Sequence, residues 1–341
     1  MAGVSELMIR PVDPYDEADL DGFQDVYAAA ERAEDPDVGL YSREDGKAML
    51  TSDTAELFDA FGAFVDGSMV GESVLMGSTR DNLEVAQVLV WVDPRHQRHG
   101  YGARLLAHVE EHAAHSRGRR ILRAQARVGE GLSRNRRFAE RHGYDLAMTE
   151  VERRLQLPPD HELLDRLTAD AAPYHRGYEI RSFVGPVPAE LRATYVDLRN
   201  LLGVEAPHGD LELEPGRDTV DDLGAIERER EEAGRTSVVA VAVHEGVVVA
   251  YADASVPGGD AVHVDQFGTL VHPDHRGHRL GMAVKCAQLR LLCERFPDRA
   301  YVVTTNAATN AHMVAINQAL GFAVHQVWGE FEKRLEAVAA G

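Results

Sequence analysis

The sequence has few cysteines, few lysines and no long apolar run. Cys286 and Cys293 are seven residues apart in a segment with helical periodicity, about 10 Å along a helix axis, which is too far for a disulfide. We therefore expect two thiols in a reducing cytoplasm. No stretch of 18 apolar residues is present, and the first residues lack the basic and apolar blocks of a signal peptide. Neither a membrane span nor secretion is expected.

Positive charge is also scarce. The chain has 56 acidic residues against 36 basic ones and a net charge of −20, and lysine occurs only at Lys47, Lys285 and Lys333. An acidic surface repels nucleic-acid phosphates, so a nucleic-acid partner is not expected. The charge is compatible with attraction of a cationic amine and equally with solubility alone. The 16 histidines show no metal-ligand spacing, so no metal site is predicted.

An internal repeat organises the chain. The segment VLVWVDPRHQRHGYGARLL, from Val88, aligns with FGTLVHPDHRGHRLGMAVK, from Phe267, at a constant offset of 179 residues. Further along, RHGY ending at Tyr144 matches ALGF ending at Phe322 at an offset of 178. Two matches with nearly the same offset indicate a duplicated domain. We predict domains at residues 1–157 and 177–341, joined by a linker at 158–176 with a helix at 160–169.

Each half predicts a mixed α/β domain. Helical periodicity covers residues 18–33 and 43–60 in the first half, and Asp66-Gly67 and Glu245-Gly246 each predict a hairpin between two apolar strands. Residues 203–222, rich in glycine, proline and acids, predict a loop. Other predicted elements are strands at Val85–Val92, Ile121–Ala126, His263–Val271, Tyr301–Thr305 and Phe331–Leu335, and helices at Gly102–His115, Ser133–His142, from Gly281 and at Asn310–Leu320.

The repeated loop has the features of an anion site. Pro94 and Pro273 end their strands because proline lacks an N–H donor and has a fixed φ. A helix then begins, and its first N–H groups have no partner within the helix. Glycine lets an anion approach the backbone, and the helix N-terminus favours phosphate. The loop therefore predicts a pyrophosphate site. It contains neither a P-loop pattern nor a dinucleotide fingerprint in the right place.

These residues resemble the GNAT superfamily of acyl-CoA-dependent N-acyltransferases. Residues 92–102, VDPRHQRHGYG, match its pattern V-x-P-x-x-[QR]-x-x-G-x-[GA], and the resemblance covers about 8–156 and 178–336. It implies two tandem domains, each a mostly antiparallel sheet whose central strands splay and are flanked by helices. It also implies acetyl-CoA as the acyl donor, with pantetheine paired to the exposed strand like an added strand.

The resemblance assigns cofactor contacts residue by residue. Pantetheine would face Val90, Trp91 and Val92 in the first half and Thr269, Leu270 and Val271 in the second. The first pyrophosphate cradle would comprise Gln97, Arg98, His99, Gly100, Tyr101, Gly102 and Ala103, and the second Arg276, Gly277, His278, Arg279, Leu280, Gly281 and Met282. Asn306, Asn310 and Asn317 would contact the cofactor further along.

The two halves depart from the family pattern in different places. Arg279 replaces the first glycine of the second loop, where its guanidinium would either add a phosphate donor or block the cradle. The first half has Leu132 and Ala139 where the second has Asn310 and Asn317. For Asn310, a helix cap is as good an explanation as a cofactor contact.

The resemblance also implies catalytic residues. Acyl transfer to an amine needs a proton acceptor and a donor for the oxyanion. The backbone N–H of Thr269 is the predicted oxyanion donor, with Val90 its counterpart. Asp265 is the candidate base, and alternation places it on the same face of the strand as Thr269. A solvated edge aspartate is the alternative. The tyrosine that many relatives use as an acid is replaced by Asn317, so no acid is assigned.

We therefore predict a cytoplasmic N-acyltransferase that moves an acetyl group from acetyl-CoA to an amine by direct attack in a ternary complex. The second half is the predicted catalytic one. The acceptor would be a small-molecule or peptide amine, and the chain a monomer or homodimer. The alternative is an acyl-CoA sensor or scaffold that kept the cradles and lost turnover. The sequence does not identify the acceptor or the acyl chain length.

Overall fold

The computed structural model describes residues 6–52, 54, 56–129, 133–207, 214–259 and 261–335. They form two compact units. The first unit contains the residues up to Ala147 together with those from Gly329 onward, and the second contains Met148–Trp328.

The first repeat contains strands and helices in the predicted alternation. Its strands are β1 (Met8–Pro11), β2 (Glu56–Val65), β3 (Ser68–Ser78), β4 (Val85–Val92), β5 (Ile121–Arg127) and β6 (Asp145–Gln156). Its helices are α1 (Glu17–Arg32), α2 (Arg43–Thr51), α3 (Tyr101–Ser116) and α4 (Ser133–Arg141). Between the two repeats, His161–Ala171 form α5, close to the helix predicted at 160–169.

The second repeat follows the same order but, within the described residues, has three α-helices, rather than two, between its first two strands. Its strands are β7 (Glu179–Val184), β8 (Thr236–His244), β9 (Val247–Val256), β10 (His263–Val271), β11 (Tyr301–Ala307) and β12 (Ala323–Arg334). Its helices are α6 (Arg192–Asn200), α7 (Leu202–Glu205), α8 (Val220–Glu232), α9 (Leu280–Arg295) and α10 (Ala311–Ala319).

Each unit is built on a mixed sheet. The strand order is β1-β2-β3-β4-β5-β12 in the first unit and β7-β8-β9-β10-β11-β6 in the second. The first four strands of each order are antiparallel neighbours, whereas β4 with β5, and β10 with β11, are parallel. Helices pack on these sheets, so the predicted fold class is confirmed.

The last strand of each repeat lies in the unit formed by the other repeat. Residues Glu150–Gln156 of β6 pair antiparallel with β11 of the second unit, and Leu155 is buried in that unit's core. The end of β12 adjoins β5 of the first unit, where Phe331 is buried among first-unit side chains. Compared with a division of the sequence at residues 157 and 177, each compact unit therefore contains the final strand of the other repeat.

Both predicted hairpins are present, and their turns set the pairing at the hairpin ends. Asp66 and Gly67 have φ of 50° and 81°, and Glu245 and Gly246 have φ of 50° and 82°. Two successive residues with positive φ form the type I′ turn that matches the twist of antiparallel strands. The turns set the register of the two pairs next to them in each hairpin, and a one-residue bulge beyond Phe64 and beyond Val243 then shifts it.

Three sequence predictions need correction or restriction. The helix predicted over 43–60 ends at Thr51, because Glu56 already begins β2 and pairs with β3. The strand predicted at Phe331–Leu335 begins at Ala323 and ends at Arg334. The loop predicted at 203–222 contains most of α7 and the start of α8, and its residues 208–213 lie outside the described residues.

Helices cover both faces of each sheet. In the second unit, α9 packs with β8, β9 and β10 on one face, while α6 and α8 pack on the other face with Tyr251 and Leu270. In the first unit, α3 covers one face, and α1 and α2 cover the other. Within the described part of the chain, no helix combines the length and apolar character needed to span a bilayer.

Candidate acyl-CoA sites

In each unit the two parallel strands separate after a short paired stretch. In the second unit, β10 pairs with β11 only through His263–Asp265 and Tyr301–Val303 among the described residues. In the first, β4 pairs with β5 only through Val85–Gln87 and Ile121–Arg123. Beyond these points the inner edges of β4 and β10 carry backbone donors and acceptors that face a gap. An extended amide-containing ligand can pair with such an edge as an added strand does.

A proline-stopped loop lies at the open end of each gap. In both, a short 3-10 turn, Pro94–His96 or Pro273–His275, follows the strand. Two residues with positive φ come next: Arg98 and Gly100 in the first loop, Gly277 and Arg279 in the second. The offset of 179 aligns Arg98 with Gly277 and Gly100 with Arg279. Each loop thus has the same backbone form with glycine and arginine exchanged.

The helices after these loops begin without a side-chain cap. The N-cap residues are Gly100 for α3 and Arg279 for α9, and within the described residues neither helix receives a capping hydrogen bond from a side chain. By contrast, Asp16 caps α1 and Thr219 caps α8. Uncapped first-turn N–H groups at a positive helix end are suited to bind phosphate oxygens. The backbone of both loops therefore fits a pyrophosphate.

A glycine lies where each loop helix meets the splayed strand. A Cβ on Gly281 would lie 3.1 Å from Ile316 Cδ1 and 3.7 Å from Val271 Cγ2. On Gly102, a Cβ would lie 3.5 Å from Val92 Cγ2. These glycines let the first helical turn approach the strand closely, which places the predicted contacts Leu280, Met282, Tyr101 and Ala103 in the first turns of the two helices.

The polar side chains of the second loop bind neighbouring segments rather than projecting over the helix end. Arg276 Nη2 lies 2.6 Å from Glu205 Oε2, and a ring nitrogen of His278 lies 2.9 Å from the Tyr174 carbonyl oxygen. Arg279 Nη1 donates to the Asp170 carbonyl, and its guanidinium lies 4.2 Å from the Tyr174 ring centroid. In this structure Arg279 thus neither blocks the cradle nor reaches over it.

In the first loop, side chains likewise bind the loop itself. Gln97 Nε2 donates to the Val92 carbonyl at 3.2 Å, and His99 Nδ1 lies 2.9 Å from the Gln97 carbonyl oxygen. Trp91 points away from α3: its Nε1 donates to Glu31 on α1, and Arg127 on β5 forms an ion pair with the same carboxylate at 2.7 Å. This network joins the two splayed strands of the first unit on their α1 side.

The predicted oxyanion residue Thr269 follows a β-bulge. Asp265 pairs with Ser255 and Thr269 with Ala252, so Phe267 and Gly268 together oppose the single residue Asp253. A bulge re-aims the strand and leaves an extra residue unpaired. Gly268 is required here, because a Cβ on it would lie 2.6 Å from Tyr251 Oη. By contrast, β4 keeps a constant register with β3 over Gln87–Val92.

The bulge corrects the expected relation between Asp265 and Thr269. Their partners Ser255 and Ala252 are three residues apart on β9, so the two side chains lie on opposite faces of the sheet. The expectation from simple alternation was wrong because the extra residue in the bulge moves every following side chain to the opposite face of the sheet. Thr269 shares the α9 face with Val271, and Asp265 shares the α6 and α8 face with Leu270.

Asp265 is not a solvated edge residue. Arg235, a buried arginine, forms an ion pair with its carboxylate, and His263 Nε2 lies 3.7 Å from the same carboxylate. Arg235 Nε also donates to Ser255 Oγ at 3.0 Å. Sequence spacing located Asp265 at the point where β10 and β11 separate, but it gave no sign of the arginine, which is 30 residues away in the chain.

The three predicted asparagines have distinct roles. Asn310 caps α10, because its Oδ1 accepts from Met313 N at 3.1 Å. Asn317 is fully buried and donates from Nδ2 to Asn306 Oδ1 at 2.7 Å, so α10 and β11 bring these two amides together. In the first repeat, Ala139 is part of the core, and Leu132 lies outside the described residues.

Several buried polar oxygens around the gaps have no hydrogen-bond partner in the described structure. In the second unit they include Thr269 Oγ1, Tyr251 Oη and Asn317 Oδ1. In the first unit they include both carboxylate oxygens of Glu72 and Ser73 Oγ, on the strand next to β4. Such groups are expensive to bury unpaired. Sequence reasoning missed Glu72, although a lone acid within the apolar strand VGESVLM is a visible signal.

The loop histidines belong to an aromatic cluster. The Tyr178 ring lies within 4.7–5.7 Å of His244, His275 and His278, centroid to centroid. Burial, together with the nearby His244 and His272, lowers the pKa of His275, which favours its neutral form. Within the described ranges, no three His, Cys, Asp or Glu side chains are grouped so as to hold a metal ion.

Known proteins share this architecture. The model of the Acetyltransferase (GNAT) family matches residues 20–144. A tandem GNAT protein from the clavulanic acid biosynthesis pathway superposes with a TM-score of 0.78 at 25% identity, covering 98% of this chain and 100% of its own. A GCN5-related N-acetyltransferase from Sphaerobacter thermophilus gives a TM-score of 0.66 at 17% identity, covering 96% and 95%. No curated protein matches by sequence. Residues 20–144 therefore match the Acetyltransferase (GNAT) family, and nearly the whole chain has the fold of a tandem GNAT protein.

Proposed function

We propose that the protein transfers an acetyl group from acetyl-CoA to an amine in a ternary complex, and that the second unit performs the reaction. Acetyl-CoA supplies the activated acyl group. The observation that carries the proposal is the splayed β10 edge, which opens onto an uncapped helix end and carries a bulge just before Thr269. The match of residues 20–144 to the GNAT family and the likeness to a tandem GNAT protein support acyl transfer, and the acceptor would be a small-molecule or peptide amine.

The second unit would hold the donor through its backbone. First-turn N–H groups of α9 would bind the pyrophosphate, and the free edge at Thr269–Val271 would pair with pantetheine amides. Asn306 and Asn317 lie across the gap, and Asn317 Oδ1 lacks a partner in the described structure and so can accept from an amide N–H. The backbone N–H of Thr269 would stabilise the oxyanion. The matching first-unit residues would form a second, non-catalytic donor site.

Asp265 remains the proposed proton acceptor. It lies where the strands separate, which places it near the apex of the gap, and Arg235 holds its carboxylate in place. The Arg235 guanidinium uses some of the hydrogen-bond acceptor sites of this carboxylate, so the ammonium group of the incoming substrate would bind the remaining ones. Such charge pairing fits a cationic amine acceptor and the acidic surface of the chain.

Release of CoA from acetyl-CoA, measured against a panel of amines, tests the proposal. Turnover with at least one amine class is expected. Asp265→Asn should then lower kcat/KM by about 100-fold, within the usual range for loss of a general base. The matched control is Asp253→Asn, which breaks the neighbouring buried ion pair with Arg230 on the same face. Equal losses in both variants would assign Asp265 a structural role.

A second candidate function is an acyl-CoA sensor or scaffold. The engagement of Asp265 by Arg235 and the absence of a tyrosine at Asn317 favour it. Acetyl-CoA binding without CoA release across the amine panel would support the sensor and remove the enzyme proposal.

A further inference from the structure

The second unit buries a lysine that the proposed reaction does not use. Lys285, on α9, is 1% exposed. Lysine normally keeps its ammonium group in water or pairs it with an acid. Lys333 follows this rule, since its Nζ lies 2.7 Å from Glu110 Oε2, and Lys47 is partly exposed on α2. Within the described residues, Lys285 has no such ion pair.

The surroundings of Lys285 favour a neutral amine. Its Nζ lies 5.1 Å from the Phe322 ring centroid, and burial lowers its pKa to about 7. The Cys286 thiol on the same helix partly opposes this lowering of the pKa. The strand β11 carries no ionisable side chain beyond Tyr301, His312 on α10 is exposed, and Asp265 of β10 lies on the opposite face. A large fraction of Lys285 is therefore unprotonated at neutral pH.

The position of Lys285 along α9 matches that of Thr269 along β10. Gly281 is level with Val271, because a Cβ on it would contact Val271 Cγ2 at 3.7 Å. Helix α9 runs back along the strand, so Lys285 lies about 6 Å beyond Gly281. Thr269 lies about 6.6 Å back from Val271, with its side chain on the α9 face. The amine is therefore at the level of the proposed oxyanion donor.

Other groups on this face point to a ligand at the same level. Thr269 Oγ1 and Asn317 Oδ1 are buried without hydrogen-bond partners in the described structure. Asn317 is linked to the Lys285 environment through Phe322, whose backbone N–H donates to the Asn317 carbonyl at 2.9 Å. A buried amine, an unpaired hydroxyl oxygen and an unpaired amide oxygen around one gap form a polar interior that a ligand with amide and carbonyl groups would satisfy.

We propose that Lys285 is an acyl acceptor within the chain, and that acyl-CoA docked in the second unit acylates its side chain. The Nζ lone pair attacks the thioester carbonyl carbon, the C–S bond breaks and CoA leaves as the thiolate. The proton lost from nitrogen neutralises that thiolate or passes to solvent. The product is an amide that removes the only ammonium group from this interior. The inference rests on the proposed binding of acyl-CoA in the second unit.

The first unit provides a natural contrast. The offset of 179 aligns Lys285 with Leu106, which is buried in the first-unit core. Acyl-CoA bound in the first unit would therefore meet no buried amine at this position. Because the chain has only three lysines, the modification can be assigned to one of them without ambiguity.

Mass spectrometry of the full-length protein after incubation with acetyl-CoA alone tests this inference, and calorimetry reports binding in parallel. We expect one acetyl group per chain at Lys285, added at least about tenfold faster than at Lys47 or Lys333, because docking holds the reactants together. Its rate should rise with pH through about 7 and then level off, because the neutral amine is the nucleophile. Excess CoA should suppress it.

Two comparisons exclude unspecific chemistry. A short thioester without the pyrophosphate, S-acetyl-N-acetylcysteamine, should modify Lys285 no faster than the other two lysines. Lys285→Leu, the residue of the first repeat, and Lys285→Arg should each lose the modification. Equal acetylation of the three lysines, or bound acetyl-CoA with Lys285 unmodified, overturns this inference and leaves the proposed function intact. If calorimetry detects no acetyl-CoA binding, both proposals fall.

Discussion

The two units share the same backbone arrangement around the gap between their splayed strands and differ in the side chains that they bury there. Both have a short parallel pairing, a proline-stopped loop and an uncapped helix. The second unit adds the bulge before Thr269, the Asn306–Asn317 pair and Lys285. The first keeps a regular β4 and joins its splayed strands through Trp91, Glu31 and Arg127. Both units therefore have the backbone features of an acyl-CoA site, whereas the groups able to take part in acyl transfer are concentrated in the second unit.

The position equivalent to Glu72 shows how far the copies have diverged. Glu72 pairs with Trp91 on β4, and its counterpart Tyr251 pairs with Leu270 on β10. Both side chains are buried, and their oxygens lack partners in the described structure. Burial raises the pKa of Glu72 well above its usual range. One copy thus holds a carboxyl group where the other holds a phenol that contacts the bulge.

The largest effects should come from the exchanged strands. Phe331→Ala should lower the free energy of unfolding of the first unit by about 3–5 kcal/mol, and Leu155→Ala that of the second by about 2–5 kcal/mol, because each leaves a cavity in a packed core. Hydrogen exchange should show faster amide exchange in β5 for the first variant and in β11 for the second. The opposite assignment would mean that each repeat keeps its own last strand.

The cradles should differ in their sensitivity to charge. Arg276→Glu places a second carboxylate next to Glu205 and near the proposed pyrophosphate, so it should weaken acetyl-CoA binding to the second unit by about 1.5–3 kcal/mol. The aligned variant Gln97→Glu should affect only the first unit. Calorimetry on both variants resolves the two sites, with the exposed Arg166→Glu as control. Unchanged affinity in Arg276→Glu would show that the donor binds elsewhere.

Glu72 should give the first unit a pH-dependent stability. The unfolded carboxyl ionises near pH 4.5, whereas the folded one keeps its proton, so the free energy of unfolding falls as pH rises above that value. Glu72→Gln removes this dependence and should be more stable than the natural protein at pH 7, by on the order of 1–3 kcal/mol, but not at pH 4. Denaturation at the two pH values checks this.

Tyr251→Phe is the matched control for Glu72→Gln, since it removes an unpaired oxygen from the second unit without a titration in this range. An equal pH dependence of stability in Glu72→Gln and the natural protein would show that the carboxyl is ionised in the folded state.

The smallest effects should come from the exchanged loop residues. Arg98→Gly relieves a positive φ on a non-glycine residue and should raise the free energy of unfolding by about 0.5–1 kcal/mol. Arg279→Gly should gain less, because it also loses the contacts with Asp170 and Tyr174. Thermal unfolding of the two variants measures the two gains in the free energy of unfolding and shows which is larger. A larger gain in Arg279→Gly would mean that those contacts contribute nothing.

The sequence by itself determined the elements that depend on neighbours along the chain. Asp66-Gly67 and Glu245-Gly246 specify their hairpins because they accept positive φ. Pro94 and Pro273 stop their strands, and the offset of 179 fixes the duplication. The hairpins and strand ends involve residues a few positions apart, and the duplication is a direct match between two segments of sequence, so composition and spacing are sufficient to predict them.

Which distant residues meet depends on the packing of the whole chain. The bulge at Phe267-Gly268 reverses the face of Thr269 relative to Asp265, and Arg235 binds that aspartate from 30 residues away. The exchange of β6 and β12 and the burial of Lys285 likewise depend on which strands and helices pack together. Strand parity changes with one inserted residue, and burial depends on contacts that local sequence does not encode.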